Sequence, residues 1–141
     1  MPIQEGEISL ENLKFRAWDK VAGGIFIPEA LELDKNGKVT GIFSKGTMFG
    51  IEDFELLQST GLLDKNGKDI FESEIVDVRT LEGTIYLRGI VKKVKGGFYI
   101  EGLYHSKNIP LIDFYFKAYT NTLEIKILGN KYQHPHLLEE E

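Results

Sequence analysis

The sequence predicts a mainly β protein built of hairpins with one or two short helices. Three observations point there. The pentapeptide Asp-Lys-Asn-Gly-Lys occurs twice, at 34–38 and 64–68, each time between apolar residues. β-Branched and aromatic residues crowd 75–101 and are divided at Gly96-Gly97. Apolar and polar residues alternate at Leu13, Phe15 and Ala17 and again at Leu123, Ile125 and Ile127, the period of a strand with one buried face.

Taken in order, residues 1–12 form a mostly polar N-terminal extension with a short helical turn expected at Ser9 to Leu13. In the first strand, Leu13, Phe15 and Ala17 take one face and leave Trp18 on the polar one. An indole there calls for a covering loop or subunit, because its body is apolar. Asn-Gly tolerates positive φ at both central positions of a type I′ turn, so hairpin tips are expected at Asn36-Gly37 and Asn66-Gly67. Ala30, Leu31 and Leu33 precede the first tip, and Val39, Ile42 and Phe43 follow it. Leu62 and Leu63 precede the second, and Ile70, Phe71, Ile75 and Val76 follow. Duplication of a hairpin and convergence on common turn chemistry both produce such a repeat.

Ser44-Lys-Gly-Thr reads as a loop. Residues 50–60 fit a helix through Ile51, Phe54, Leu57 and Gln58 or a strand through Phe54, Leu56 and Gln58. Gly96-Gly97 marks a third hairpin tip. Pro110 suits a first helical turn, and Leu111, Phe114, Tyr115 and Ala118 then recur at helical spacing, which predicts a helix within 110–119. Leu123 to Ile127 returns as a strand, His134-Pro-His-Leu-Leu forms a final turn, and 139–141 is an acidic tail. Residues 13–138 are thus read as a single β domain.

Composition narrows the function classes. With 42% hydrophobic and 28% charged residues in 141, and no cysteine, the chain is a globular domain without disulfides, thiol nucleophiles or Cys-based metal centres. No apolar run reaches the 18 or so residues that span a bilayer, and the start lacks the order of a signal peptide, so no membrane association and a cytoplasmic setting are expected. The net charge of −5 is uneven. Residues 1–75 hold 14 acidic and 8 basic side chains, residues 76–100 hold 2 and 5, and residues 101–141 hold 6 and 4. Only the middle segment offers phosphate an electrostatic footprint.

Within it, Arg88, Lys92, Lys93 and Lys95 with Phe98 and Tyr99 form the basic and aromatic cluster. As a nucleic-acid contact they would pair phosphate binding with a stacking platform, Tyr99 foremost. As strand furniture they would blunt an edge against aggregation. On a hairpin Arg88 and Lys92 share one face with Ile90 and Val94, while Lys93 and Lys95 share the other with Val91. The charges therefore do not form one stripe, and nucleic acid is not the favoured partner.

The remaining constellations carry less. Glu52, Asp53 and Glu55, and Glu72 with Glu74, read as solvated surface rather than a catalytic acid–base pair. His134 and His136 with Glu139 lack a third strong ligand for a metal, and His105 beside Ser106 has no nucleophile elbow. The glycines at 83, 89, 96, 97 and 102 make no phosphate loop. No catalytic residue, cofactor or metal site is expected. Trp18, Phe114, Phe116 and Tyr119 exceed what one buried face accommodates, since three successive aromatics at 114–116 cannot all point inward. They are the expected interface of a homo-oligomer.

Three blocks carry a family resemblance. Leu13-Lys-Phe-Arg-Ala-Trp-Asp-Lys20, the stretch Gln58-Ser-Thr-Gly-Leu-Leu-Asp-Lys-Asn-Gly-Lys-Asp-Ile-Phe-Glu-Ser-Glu-Ile-Val76, and Glu124-Ile-Lys-Ile-Leu-Gly-Asn-Lys-Tyr-Gln-His-Pro-His-Leu-Leu138 resemble the YopX-like proteins of phages and prophages. Where that family has Gly-Asp before Ile-Val, this chain has Ser73-Glu74, and where Asn precedes the final Pro it has His134. The departures bear on the turn before Ile75 and on the cap of the last turn. The resemblance implies a mainly β, barrel-like, oligomeric protein in a phage setting and no reaction. The function expected is that of a non-enzymatic accessory protein that self-associates and binds a host or phage protein. The alternative is a single-stranded nucleic-acid-binding module using hairpin 88–99.

Overall fold

In the computed structural model, residues 14–103, 108–114 and 123–139 are described. The helical turn expected at Ser9 to Leu13, the part of the expected helix beyond 114, and residues 140 and 141 lie outside them. The chain divides into two units, Lys14–Gln58 and the residues from Ser59 onward.

In the first unit β1 (Phe15–Asp19) pairs with β2 (Ile25–Phe26) and with the first half of β6 (Phe54–Leu63). A second sheet has β4 (Val39–Ser44) between β3 (Ala30–Leu33) and β5 (Thr47–Gly50). A 3-10 turn, Ile51–Asp53, separates β5 from β6, so the strand reading of 54–58 prevails over the helical one. The small core is Ala17, Ile42 and Phe54, with Phe26, Leu31, Ile51 and Leu56 packed against it.

In the second unit the later half of β6 pairs with β7 (Asp69–Phe71). The main sheet, in spatial order, is β11 (Asn108–Pro110), β10 (Gly97–Gly102), β9 (Ile85–Val94), β8 (Glu74–Thr80) and β12 (Leu123–Asn130), antiparallel at each pairing. Ile70, Val76, Val78, Leu87, Val91, Ile100, Leu111, Phe114 and Ile125 make its core. Residues 111–114 are helical, but Pro110 ends β11 opposite Tyr99 instead of opening the helix. A 3-10 turn at Pro135–Leu138 ends the described chain. No helix among the described residues is long and apolar enough to cross a membrane.

Both Asp-Lys-Asn-Gly-Lys copies are hairpin tips, though not of the expected turn type. Only the glycines, Gly37 and Gly67, take positive φ, at 84° and 80°. Each Gly N–H donates to the carbonyl of the leading Asp, and the Asp N–H donates to the carbonyl of the closing Lys. This is a three-residue loop with a bulged glycine. The Asp makes it possible. Its Oδ1 accepts the N–H groups of the Asn and the last Lys at 2.8 and 3.0 Å in both copies. The two-residue turn with positive φ at both positions occurs instead at Lys45 (51°) and Gly46 (79°), closing β4 onto β5 where a loop was expected. The third tip is Lys95-Gly96, with Gly97 already in β10 opposite Val94.

The two copies differ in what they touch. Asp34 is exposed, whereas Asp64 is buried and its Oδ2 also accepts the N–H of Ile127 at 3.2 Å. Lys65 N–H donates to the Ile125 carbonyl at 2.8 Å, and Lys65 Nζ meets Glu124 at 3.2 Å. The second tip is therefore docked on β12.

Between β7 and β8, Ser73 holds φ at 73°, where a side chain is strained and glycine is at ease. Ser73 keeps the conformation because its N–H donates to the Val91 carbonyl at 2.7 Å and its carbonyl accepts from Lys131 N–H at 2.9 Å.

Two predictions follow from these contacts. In urea titrations Asp34→Ala costs about 1 kcal/mol, whereas Asp64→Ala costs about 2 kcal/mol or more because the half-buried Ile127 N–H of β12 loses its acceptor too. Ser73→Gly raises stability by about 0.5–1 kcal/mol by removing Cβ strain, and Ser73→Val lowers it by at least about 1 kcal/mol.

Candidate functional site

The residues singled out by charge lie on β9 and β10. Leu87, Gly89 and Val91 face the core with Ile100 opposite Val91, so Arg88, Ile90 and Lys92 face the other way beside Tyr99 and Glu101. The alternation agrees with the split faces expected from the sequence. Lys93 is exposed on the core-facing side at the hairpin end, and Lys95 is exposed in the turn. The structure does not bring the four basic residues into one groove.

Arg88 is committed within the chain. It stands opposite Asp77 on β8, its Nε donates to Asp77 Oδ1 at 2.6 Å and its Nη2 to Oδ2 at 3.1 Å. Arg79, two residues along the same strand face, donates from Nη2 to Oδ2 at 3.0 Å. Asp77 has 0% exposure, while the two arginine side chains keep 25% and 27%. β8 is buried on both faces from Glu74 through Val78, so this carboxylate has no water to fall back on. Arg79 Nε is buried with no hydrogen-bond partner.

Burial by itself pushes the Asp77 carboxyl up. Hydrogen bonds from Arg88 and then Arg79, together with their charges, outweigh it and hold the carboxyl below its ordinary value of 3.8. A carboxylate that is kept ionised, with both oxygens engaged, is a poor proton acceptor near neutral pH. The cluster suits holding β8 to β9 better than acid–base chemistry. Lys92, next along the face, meets Glu101 at 3.3 Å with both side chains about two-fifths exposed, a pairing worth little in water.

Tyr99 lines a cleft of about 340 Å³ with Thr60, Leu62, Phe98, Pro110, Leu111 and Ile112, floored at one end by Gly96 and Gly97. No charged side chain lines it. The other candidates separate. Phe114 belongs to the core at 2% exposure, edge-on to Tyr86 at 6.3 Å, and so is not on a surface where a second copy could reach it. The reason is the helical backbone at 111–114, which turns Leu111 and Phe114 inward together. Trp18 is half-buried, and its ring end lies 4.0 Å from where a Cβ on Gly23 would stand. Phe116, Tyr119 and His105 lie outside the described residues.

Among the acids, Glu52, Asp53 and Glu55 are exposed, but Glu74 is buried and accepts the Phe71 N–H at 2.7 Å, closing the turn rather than facing water. His134 Nδ1 accepts from Asn130 N–H at 3.1 Å and makes no side-chain cap on the final turn. Among the described residues no group of three His, Cys, Asp or Glu side chains could hold a metal ion. Asp77 was missed in the sequence. Its signal is a lone acid inside Val76-Asp-Val78 with Arg79 two residues on, the same strand face.

A sequence model of the family described as YopX protein matches residues 14–139. No curated protein sequence matches. Among solved structures, protein EF1440 from Enterococcus faecalis is similar at 23% identity and a TM-score of 0.65, over 90% of this chain and 98% of that one. Protein yopX from Bacillus subtilis is similar at 19% identity and a TM-score of 0.62, over 91% and 99%. At these identities the structures speak for the fold.

Acid unfolding tests the Asp77 cluster. Because its carboxyl is lowered in the folded state, its stabilisation is complete above the ordinary value of 3.8 and is lost as pH falls through the lower folded value. Asp77→Asn at pH 7 is expected to cost about 3 kcal/mol in urea unfolding, removing the carboxylate charge that two guanidiniums share, and to flatten the loss of stability on acidification.

Proposed function

This chain belongs to the YopX protein family, and from that premise we propose that it is a non-enzymatic accessory protein of phage or prophage that self-associates and binds another protein in the host cytoplasm. The observation that carries the reading is where its uncovered apolar side chains fall. Leu81 in the turn between β8 and β9, and Ile85 and Tyr86 at the start of β9, have 56%, 49% and 59% exposure. In the first unit Met48 and Phe49 are exposed side by side on an edge strand. Apolar side chains left uncovered at strand ends and on a sheet edge suit partner surfaces. The charged groups with the closest partners, Asp77, Arg79, Arg88 and Glu74, are meanwhile engaged in holding strands and turns, which supports a role other than catalysis.

The nucleic-acid reading is the weaker one, since it loses Arg88 to Asp77 and part of Lys92 to Glu101. Lys93, Lys95 and Tyr99 would have to carry it, at a smaller salt slope than four cations give.

Light scattering between 1 and 100 times a base concentration of about 1 μM, where specific homodimers of ordinary affinity assemble, is expected to give a multiple of the chain mass. A single-chain mass throughout overturns self-association. In parallel, single-stranded DNA or RNA at low salt is expected to show no more than weak binding. Affinity that falls steeply with salt and disappears on Lys93→Ala with Lys95→Ala would favour the nucleic-acid module instead.

A further inference from the structure

We propose that β5 is the self-association edge, taking β5 of a second copy of this chain as an antiparallel neighbour; the inference rests on the self-association proposed above. β5 is a sheet edge with all four of its residues exposed. Other edges among the described strands are shorter or guarded, β2 having two residues and β7 three that begin with Asp69. β3 carries Glu32 and a bulge before Leu33, β11 is three residues ending in Pro110, and β12 holds Glu124, Lys126 and a bulge between Ile127 and Gly129. Short strands, charges, proline and bulges are how natural sheets refuse a neighbour. Thr47-Met-Phe-Gly50 has no charge, proline or bulge.

The register shows what the edge offers. The two-residue turn at Lys45-Gly46 makes Ser44 and Thr47 a hydrogen-bonded pair, and alternation makes Ile42 and Phe49 the next. The N–H groups of Met48 and Gly50 therefore point away from β4. The apolar side of the edge is open as well. Phe26 and Phe54 stack edge-on at 5.8 Å, Phe54 and Phe49 at 5.9 Å, and the row ends in Phe49 with 43% of its surface uncovered. A strand laid beside β5 would continue that row.

Charge selects a second copy in the antiparallel sense. Lys45 stands at one end of β5, and Glu52 and Asp53 at the other, where the single Lys20 Nζ on the Glu52 carbonyl leaves the end net negative. Pairing about a two-fold axis at Phe49 sets Gly50 N–H of each copy against the Met48 carbonyl of the other. It also brings each Lys45 toward the acidic end of the other copy. A parallel neighbour would set like charges together.

Gly50→Pro isolates the edge. Gly50 has φ −68°, which proline adopts without strain, and its N–H is the outward one. The atoms nearest an added Cβ are those of the Glu52 carboxyl, at the end of a flexible side chain, a displacement that Gly50→Ala reproduces while keeping the N–H. In sedimentation of the full chain, Gly50→Ala should associate as the parent does, and Gly50→Pro should raise the dissociation constant at least about tenfold with the circular dichroism spectrum unchanged. Lys45→Glu should also weaken association, and Asp53→Lys added to it should restore it; this pair decides the matter if the proline variant does not fold. Association unchanged in both Gly50→Pro and Lys45→Glu overturns the β5 edge while leaving self-association standing. A parent chain that stays monomeric overturns both.

Discussion

β8 is a strand covered on both faces that nevertheless carries a carboxylate at its centre, and the second unit is arranged around the need to neutralise it. An unpaired Asp77 in that position would cost several kcal/mol of desolvation, more than a domain of this size can spare. Arg88 arrives from β9 directly opposite and Arg79 from the next outward position, so the pairing of β8 with β9 and the ionisation of Asp77 require each other. A slip of register by one residue would turn Arg88 to the core and Leu87 toward Asp77. The ion cluster thus acts as a register pin between strands whose inner faces, Val76, Val78, Leu87 and Val91, carry little specificity of their own.

The polar groups at either end of β8 obey the same constraint. Glu74 enters the strand buried and accepts the Phe71 N–H, while Ser73 before it joins the Val91 carbonyl and the Lys131 N–H. One strained residue at positive φ is tolerated because three elements meet on its backbone. Asp64 does likewise for β12, accepting from its own turn and from Ile127 together. Buried carboxylates here stand in for backbone acceptors where strands change partners. Against that, the first unit is thinly furnished, with a small core around Ala17, Ile42 and Phe54 and an aromatic row that runs out to the sheet edge at Phe49.

Strands were legible wherever alternation met turn chemistry. Phe15 to Asp19, the flanks of both Asn-Gly tips and Leu123 to Ile127 all appear as read. What misled was local chemistry with two solutions. Asn-Gly permits a type I′ turn, but an Asp placed two residues before the Asn offers its carboxylate to two N–H groups and draws the loop into the longer, bulged form. Lys45-Gly46 adopts the tighter turn without the residue types that announce it. The basic cluster at 88–95 was visible as charge, yet its fate was set by Asp77, eleven residues before Arg88 and joined to it only by strand pairing. Phe114 likewise read as surplus aromatic surface, yet the helical stretch at 111–114 turns it inward.

The most direct test of the account is the titration of the Asp77 carboxyl carbon followed by NMR in the intact chain. If Arg88 and Arg79 hold β8 to β9 through an ionised Asp77, its midpoint lies below the ordinary value of 3.8 and shifts upward on Arg88→Met. A midpoint at or above 3.8, or one indifferent to Arg88, would contradict it.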